Sequence, residues 1–188
     1  MEIYNNALNN LDDESSYYDI KLVFNNNETL YSNKHFLCFI SPVLNNIIKY
    51  DIKNSNIFNI NNKKYDYVKI ILAFCYPLID FNIILKEVKI NASIIKIIDE
   101  WCMHDLNNKI EEFYCLNVEK YNIDTLYYFS LSCNFKKLKE IILEKSSIKK
   151  YNLIKDSKNW NNLSIMQKYE LSESVINNLK KRKFGVYE

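Results

Sequence analysis

The sequence contains a single glycine, Gly185, close to its C-terminal end. Sharp turns and close backbone approach to a ligand favour a residue without a Cβ. Upstream of Gly185 there is therefore no glycine-rich phosphate loop, dinucleotide fingerprint, nucleophile elbow or EF-hand loop. That one count removes most common nucleotide-binding and hydrolase architectures. The 188 residues suffice for one domain, or one domain with an extension, and 48% hydrophobic content is enough for a packed core. Basic and acidic residues nearly cancel, 25 against 23, so there is no strong field to hold nucleic acid or an acidic membrane.

Other classes fall to shorter arguments. The longest apolar stretch runs from Ile70 to Ile79 between Lys69 and Asp80 and contains Pro77, well short of the roughly 20 residues of a spanning helix. The first residues, Met1-Glu2-Ile3-Tyr4, have neither the basic start nor the apolar run of a signal peptide. Cys38, Cys75, Cys102, Cys115 and Cys133 are an odd set, mostly inside apolar segments, which suits buried thiols in a reducing compartment. An intracellular, cytoplasmic protein is expected. The 28 Asn, 26 Ile and 24 Lys against one Arg point to AT-rich coding rather than to a prion-like tract, since no Asn run exceeds three.

The hydrophobic pattern orders the elements. Leu8 and Leu11 are spaced for a short helix before the acidic residues 12–14. Ile20, Leu22 and Phe24 share the period of a strand, Asn25-Asn26-Asn27 makes a turn, and Thr29-Leu30-Tyr31 returns as a hairpin. A first helix over Lys34 to Ile40 can be capped by Ser32 or Asn33, and Ser41-Pro42 opens a second through Val43, Leu44, Ile47 and Ile48. Residues 56–60 return to strand character. Tyr67, Ile70, Ile71, Phe74 and Cys75 form a helical stripe stopped by Pro77. Further helices run through Ile94 to Trp101 and Leu106 to Tyr114. Another is capped at Asp124 and broken at Asn134, and one more follows through Leu138 to Ile142. Residues 151–179 look helical with weaker patterning. A hairpin, two helices, a strand and then helices to the end make a small α+β unit with a helical extension.

This arrangement, and the residues themselves, resemble the BTB/POZ domain. Asp19-Ile20-Lys21-Leu22-Val23-Phe24 is similar to the family's opening strand, and Lys34, Leu37 and Ser41-Pro42-Val43-Leu44 are similar to its first helix pair. Residues 67–76 resemble its long third helix, and residues 94–114 the two helices that close the domain. Residues 117–145 resemble the first helix pair of a BACK-type extension, and Asn159-Trp160-Asn161-Asn162-Leu163 an aromatic-centred turn that follows such a pair. The resemblance implies a BTB/POZ domain over residues 1–115 and a BACK-like extension over 116–188. Large DNA viruses with AT-rich genomes encode such proteins, so a viral protein acting in a host cell is one expectation. The sequence departs from the family where Asn33 replaces a His and where Asn and Pro77-Leu78 replace glycines.

Members of the family dimerise through the N-terminal segment and first two helices, which implies contacts by Leu8, Leu11, Phe36, Phe39 and Ile40. Physically, Phe36, Leu37, Phe39 and Ile40 are more apolar residues than one helix face holds. Such an excess is either enclosed in a core or shared with a partner. Many members also recruit a cullin-RING ubiquitin ligase after the second helix, which implies Ile48, Tyr50, Ile52, Lys53 and Asn54 here. The family's hydrophobic-x-Glu motif reads Ile52-Lys53-Asn54, without the carboxylate of a charge-assisted hydrogen bond.

Chemistry finds little footing. His35 and His104 are the only histidines, and Cys102 and His104 stand two apart, a spacing that diverges on a helix. No C-x-x-C occurs, and two His do not make a closed zinc site. No catalytic residue, cofactor or metal is expected. Lys180, Lys181, Arg182 and Lys183 could form an import signal or phosphate patch, though they also suit a helix C-terminus. The expectation is a non-enzymatic dimer that binds itself or another BTB protein and recruits an undetermined target, with or without a cullin. The alternatives are a competitor that caps other BTB complexes and a nucleic-acid-associated factor using the basic C-terminus.

Overall fold

The computed structural model describes residue 11, residues 18–52, 55–76, 81, 84–85, 88 and 90–184, with side chains through residue 181. The chain divides into two compact units, residues 1–110 and 111–188. The helix expected around Leu8 lies outside the described residues, of which only Leu11, in a turn, belongs to that segment.

The first unit is built on a hairpin. Strand β1 (Ile20–Phe24) alternates as expected, burying Ile20, Leu22 and Phe24. The chain turns back through residues 25–28, where the Asn27 N–H donates to the Phe24 carbonyl at 2.9 Å. Asn27 adopts φ 65°. Asn tolerates this left-handed region because its short polar side chain bonds locally, and it does here the work of an absent glycine. Strand β2 (Thr29–Ser32) returns antiparallel, with Leu22 opposite Leu30. Strand β3 (Ile57–Ile60) joins the other edge of β1 in parallel, giving the order β2-β1-β3, with Phe24 opposite Ile60. The outer edge of β2 is met by residue 11: the Tyr31 N–H donates to the Leu11 carbonyl at 2.7 Å.

Helices α1 (Lys34–Ile40) and α2 (Pro42–Asn46) link β2 to β3, and polar caps fix where each begins. The Asn33 side chain accepts from the N–H groups of His35 and Phe36. Asp19 accepts from the Lys34 N–H at 2.6 Å, and Lys34 Nζ donates to Asn56 at 2.9 Å. The Asp and Lys of the family-like pattern thus tie together the starts of β1, α1 and β3. Ser41 is fully buried; its Oγ accepts from the Leu44 N–H at 3.0 Å and donates to the Trp101 carbonyl at 2.6 Å. α2 then widens into a π-helical turn (Ile47–Asp51) closed by the Ile52 N–H donating to Ile47 O.

Helix α3 (Tyr65–Cys75) is the strong stripe of the sequence and packs against α4 (Ala92–Glu100). α4 ends in a Schellman turn: Met103 N–H donates to Ile98 O at 3.0 Å while Cys102 sits at φ 53°. A Cβ is strained there, yet Cys holds the position. Helix α5 (His104–Leu116) follows and spans the division at residue 110.

In the second unit, α6 (Ile123–Ser132) starts two residues earlier than its sequence suggests. Asn122 holds the cap position and Asp124 lies in the first turn, because Ile123 is drawn into the core. Asn134, at φ 54°, ends α6 with Phe135 N–H donating to Ser130 O at 2.8 Å. Helix α7 (Lys136–Glu144) packs on α6, and α8 (Ile148–Lys155) follows. The aromatic-centred turn (Trp160–Asn162) stacks Trp160 edge-on against Tyr151 at 5.9 Å and leads into the long helix α9 (Ile165–Phe184). The core is strongly aromatic: Tyr114 meets Phe129 at 5.0 Å, and Phe129 meets Phe135 at 5.5 Å, both edge-to-face. α9 also supplies the polar closure of α7, since Ser174 Oγ donates to Leu143 O and Asn178 Nδ2 donates to the carbonyls of Leu143, Glu144 and Ser146. These are carbonyls that a helix end leaves without an internal partner.

Candidate functional site

The surplus of apolar residues on α1 divides between two environments. Leu37 is buried in the first unit, Phe36 and Ile40 are half-buried, and Phe39 is 89% exposed. The Phe36 ring lies 4.7 Å from Tyr76, which follows α3. Helix α1 is therefore neither enclosed nor wholly external: it anchors through one face and presents Phe39 to water.

Phe39 stands at the lip of a groove of about 670 Å³. Ile40, Pro42, Phe74, Cys75 and Met103 make much of its apolar wall, and His104, Asp105 and Lys109 contribute polar groups. Four separate stretches of chain assemble it: the α1–α2 junction, the end of α3, residue 81, and the α4–α5 junction. Burial pushes the Cys75 thiol up to about 12, against the opposing pull of Lys109. It stays protonated at ordinary pH and offers no thiolate nucleophile. Burial also holds the Tyr76 hydroxyl well above the usual tyrosine range, reinforced by a hydrogen bond with Tyr18. With an exposed aromatic at its lip and apolar residues along much of its wall, the groove can receive a side chain.

The remaining expected contact residues separate clearly. Leu11 is fully enclosed within its own unit and leaves the set of surface residues; Leu8 lies outside the described residues. Ile48 is buried as well, one turn beyond buried Leu44, while Tyr50 on the π turn is 80% exposed. Ile52 is half-buried, and Lys53 and Asn54 lie outside the described residues. Cys102 and His104 are not neighbours on one helix: Cys102 forms the left-handed turn and exposed His104 opens α5.

At the C-terminus, Lys180 and Lys181 are exposed on α9 and share a cleft of about 550 Å³ with Glu140, Glu144, Glu170 and Glu173. The acids on α7 and α9 offset the positive charge that would attract a phosphate backbone. Arg182 and Lys183 continue α9, beyond the described side chains. Among the described residues no three His, Cys, Asp or Glu side chains gather to hold a metal ion, and no helix is long and apolar enough to cross a membrane.

The groove and the role of Tyr76 escaped sequence reasoning, because residues brought together from across some seventy positions leave no local periodicity. Comparison with known proteins matches a model of the BTB/POZ domain to residues 8–117, more than half of the chain. No curated protein matches the chain significantly.

Proposed function

This chain belongs to the BTB/POZ domain family, whose members are protein–protein interaction modules, and on that premise we propose that it is a non-enzymatic scaffold that pairs with a second copy of itself through α1. The observation that carries this reading is Phe39, 89% exposed at the lip of an apolar groove. A projection and a cavity on one face are what a two-fold interface needs, since each copy inserts the residue that the other receives. Fully burying a phenylalanine is worth about 1.5–3 kcal/mol, and symmetry makes the contact twice. The apolar share of the groove wall, Ile40, Pro42, Phe74 and Met103 among it, supports binding of an apolar side chain. The five cysteines, an odd set of thiols, favour work in a reducing, intracellular compartment.

Sedimentation at micromolar concentration tests the pairing. The chain should run as a dimer, and Phe39→Asp should weaken it roughly 100-fold without unfolding the protein. A chain that stays monomeric, or a dimer indifferent to Phe39→Asp, removes the reading. Mixed dimers with other BTB proteins that outcompete the homodimer would favour a competitor role instead.

A second reading is favoured by Tyr50, whose 80% exposure on the π turn supports a further protein contact, such as a cullin, and with it an adaptor role for an undetermined target. Retention of a purified cullin N-terminal region, lost on Tyr50→Ala or Ile52→Asp, is the expected result of a pull-down.

A further inference from the structure

The second unit carries an apolar face that its own packing does not use. On α9, Ile165, Tyr169, Ile176 and Leu179 are 87, 60, 51 and 42% exposed, while the adjoining side of the helix buries Leu171 and Val175. With the half-buried Ser172 included, these positions step by four, three, four and three residues. That is the a/d repeat of a coiled coil, carried through two heptads on a helix already held folded by α7. Helix nucleation, the usual obstacle to so short a coiled coil, is therefore met before any partner arrives.

We propose that this face binds α9 of a second copy of the chain in parallel, as a short two-stranded coiled coil. In the heptad frame Tyr169 and Ile176 take a positions, and Ile165, Ser172 and Leu179 take d positions. Ile at a followed by Leu at d, as at Ile176 and Leu179, is the combination that favours two strands. The flanking charges choose the direction. Lys168, whose ammonium lies 5.4 Å from the Trp160 ring within its own unit, falls at g and Glu173 at the following e, the two positions that face each other across a parallel seam, so symmetry sets two opposite-charge neighbours. An antiparallel seam would set e against e and bring Glu173 beside its own copy.

The central Ser172 is compatible with closure. Its hydroxyl donates to the Lys168 carbonyl at 2.9 Å and lies 3.2 Å from the Tyr151 hydroxyl, so a covered seam leaves it satisfied. Met166, 75% exposed beside the seam, widens the apolar contact.

The inference stands on α9 alone, so it is tested in the full chain carrying Phe39→Asp, where the α1 contact is disabled. Sedimentation from micromolar to hundreds of micromolar should still show a reversible dimer. Adding Ile176→Asp, or separately Tyr169→Lys, should weaken it about 100-fold or more, with far-UV circular dichroism unchanged because both positions are exposed. Lys168→Glu and Glu173→Lys should each weaken the dimer roughly tenfold, and the two together should restore it. A Phe39→Asp chain that is monomeric throughout, a dimer insensitive to both Ile176→Asp and Tyr169→Lys, or charge reversals that fail to rescue one another overturns the proposal. None of these outcomes depends on whether Phe39 mediates pairing in the unsubstituted chain.

Discussion

The two units solve the same problem, closing a small core, by different means. Residues 1–110 lock their elements with buried or capping polar side chains: Asp19 on the start of α1, Asn33 on its first turn, Ser41 between α2 and Trp101. Residues 111–188 add edge-to-face aromatics around Tyr114, Phe129 and Phe135 to polar devices of their own: Glu111 on the start of α7, Ser147 on the start of α8, and Asn178 where α9 closes α7. Their exposed apolar residues differ in the same way. The first unit offers separate exposed rings, Phe39 beside a groove and Tyr50 on the π turn, and the second a row of exposed apolar residues along α9. A projection with its cavity defines one orientation by shape; a seam fixes little by shape alone and needs flanking charges to choose its direction.

Three substitutions probe this contrast, in descending order of effect. Phe135→Ala empties the aromatic core of the second unit and should cost about 3–5 kcal/mol. Hydrogen exchange should then show the deepest loss of protection in α6 to α9. Equal loss throughout β1 to β3 would mean that the aromatic cluster is not a local determinant. Ser41→Ala removes the bond to Trp101 O and the cap of α2, leaving a buried carbonyl unpaired, at about 2–3 kcal/mol. Urea unfolding measures it; a change under about 0.5 kcal/mol would remove polar locking as a determinant of the first unit. The smallest change has the opposite sign. Cys102→Gly relieves a left-handed β-carbon and should stabilise by roughly 1 kcal/mol, seen as a rise in Tm. No rise would mean that the half-buried thiol contributes packing equal to the strain.

Much of the first unit was legible in the sequence because its signals are local. The two-residue period of β1, the Asn turn that reaches φ 65° at Asn27 and the Ser41-Pro42 entry each depend on a few neighbouring side chains. The parallel pairing of β3 with β1 was not legible, since nothing in Ile57–Ile60 names its partner strand. Nor was the outward placement of Tyr50, which lies on a π turn rather than on a regular helix. The faint patterning of residues 151–179 has a structural cause. α9 carries apolar residues on the face that packs in its unit and on a second face turned to water, so no single stripe stands out.

The sequence by itself determined the element types, the caps and turns that separate them, the exclusion of glycine-dependent sites and the likeness to an interaction module. Those properties follow from residue chemistry over spans of a few positions. Only the tertiary structure decided which apolar residues are spent inside: Leu11, Leu37 and Ile48 are enclosed, while Phe39, Tyr50 and the α9 seam are left outside. Hydrophobicity is the same for a leucine in either place. Burial depends on what the rest of the chain brings within reach, and that is settled when distant segments pack.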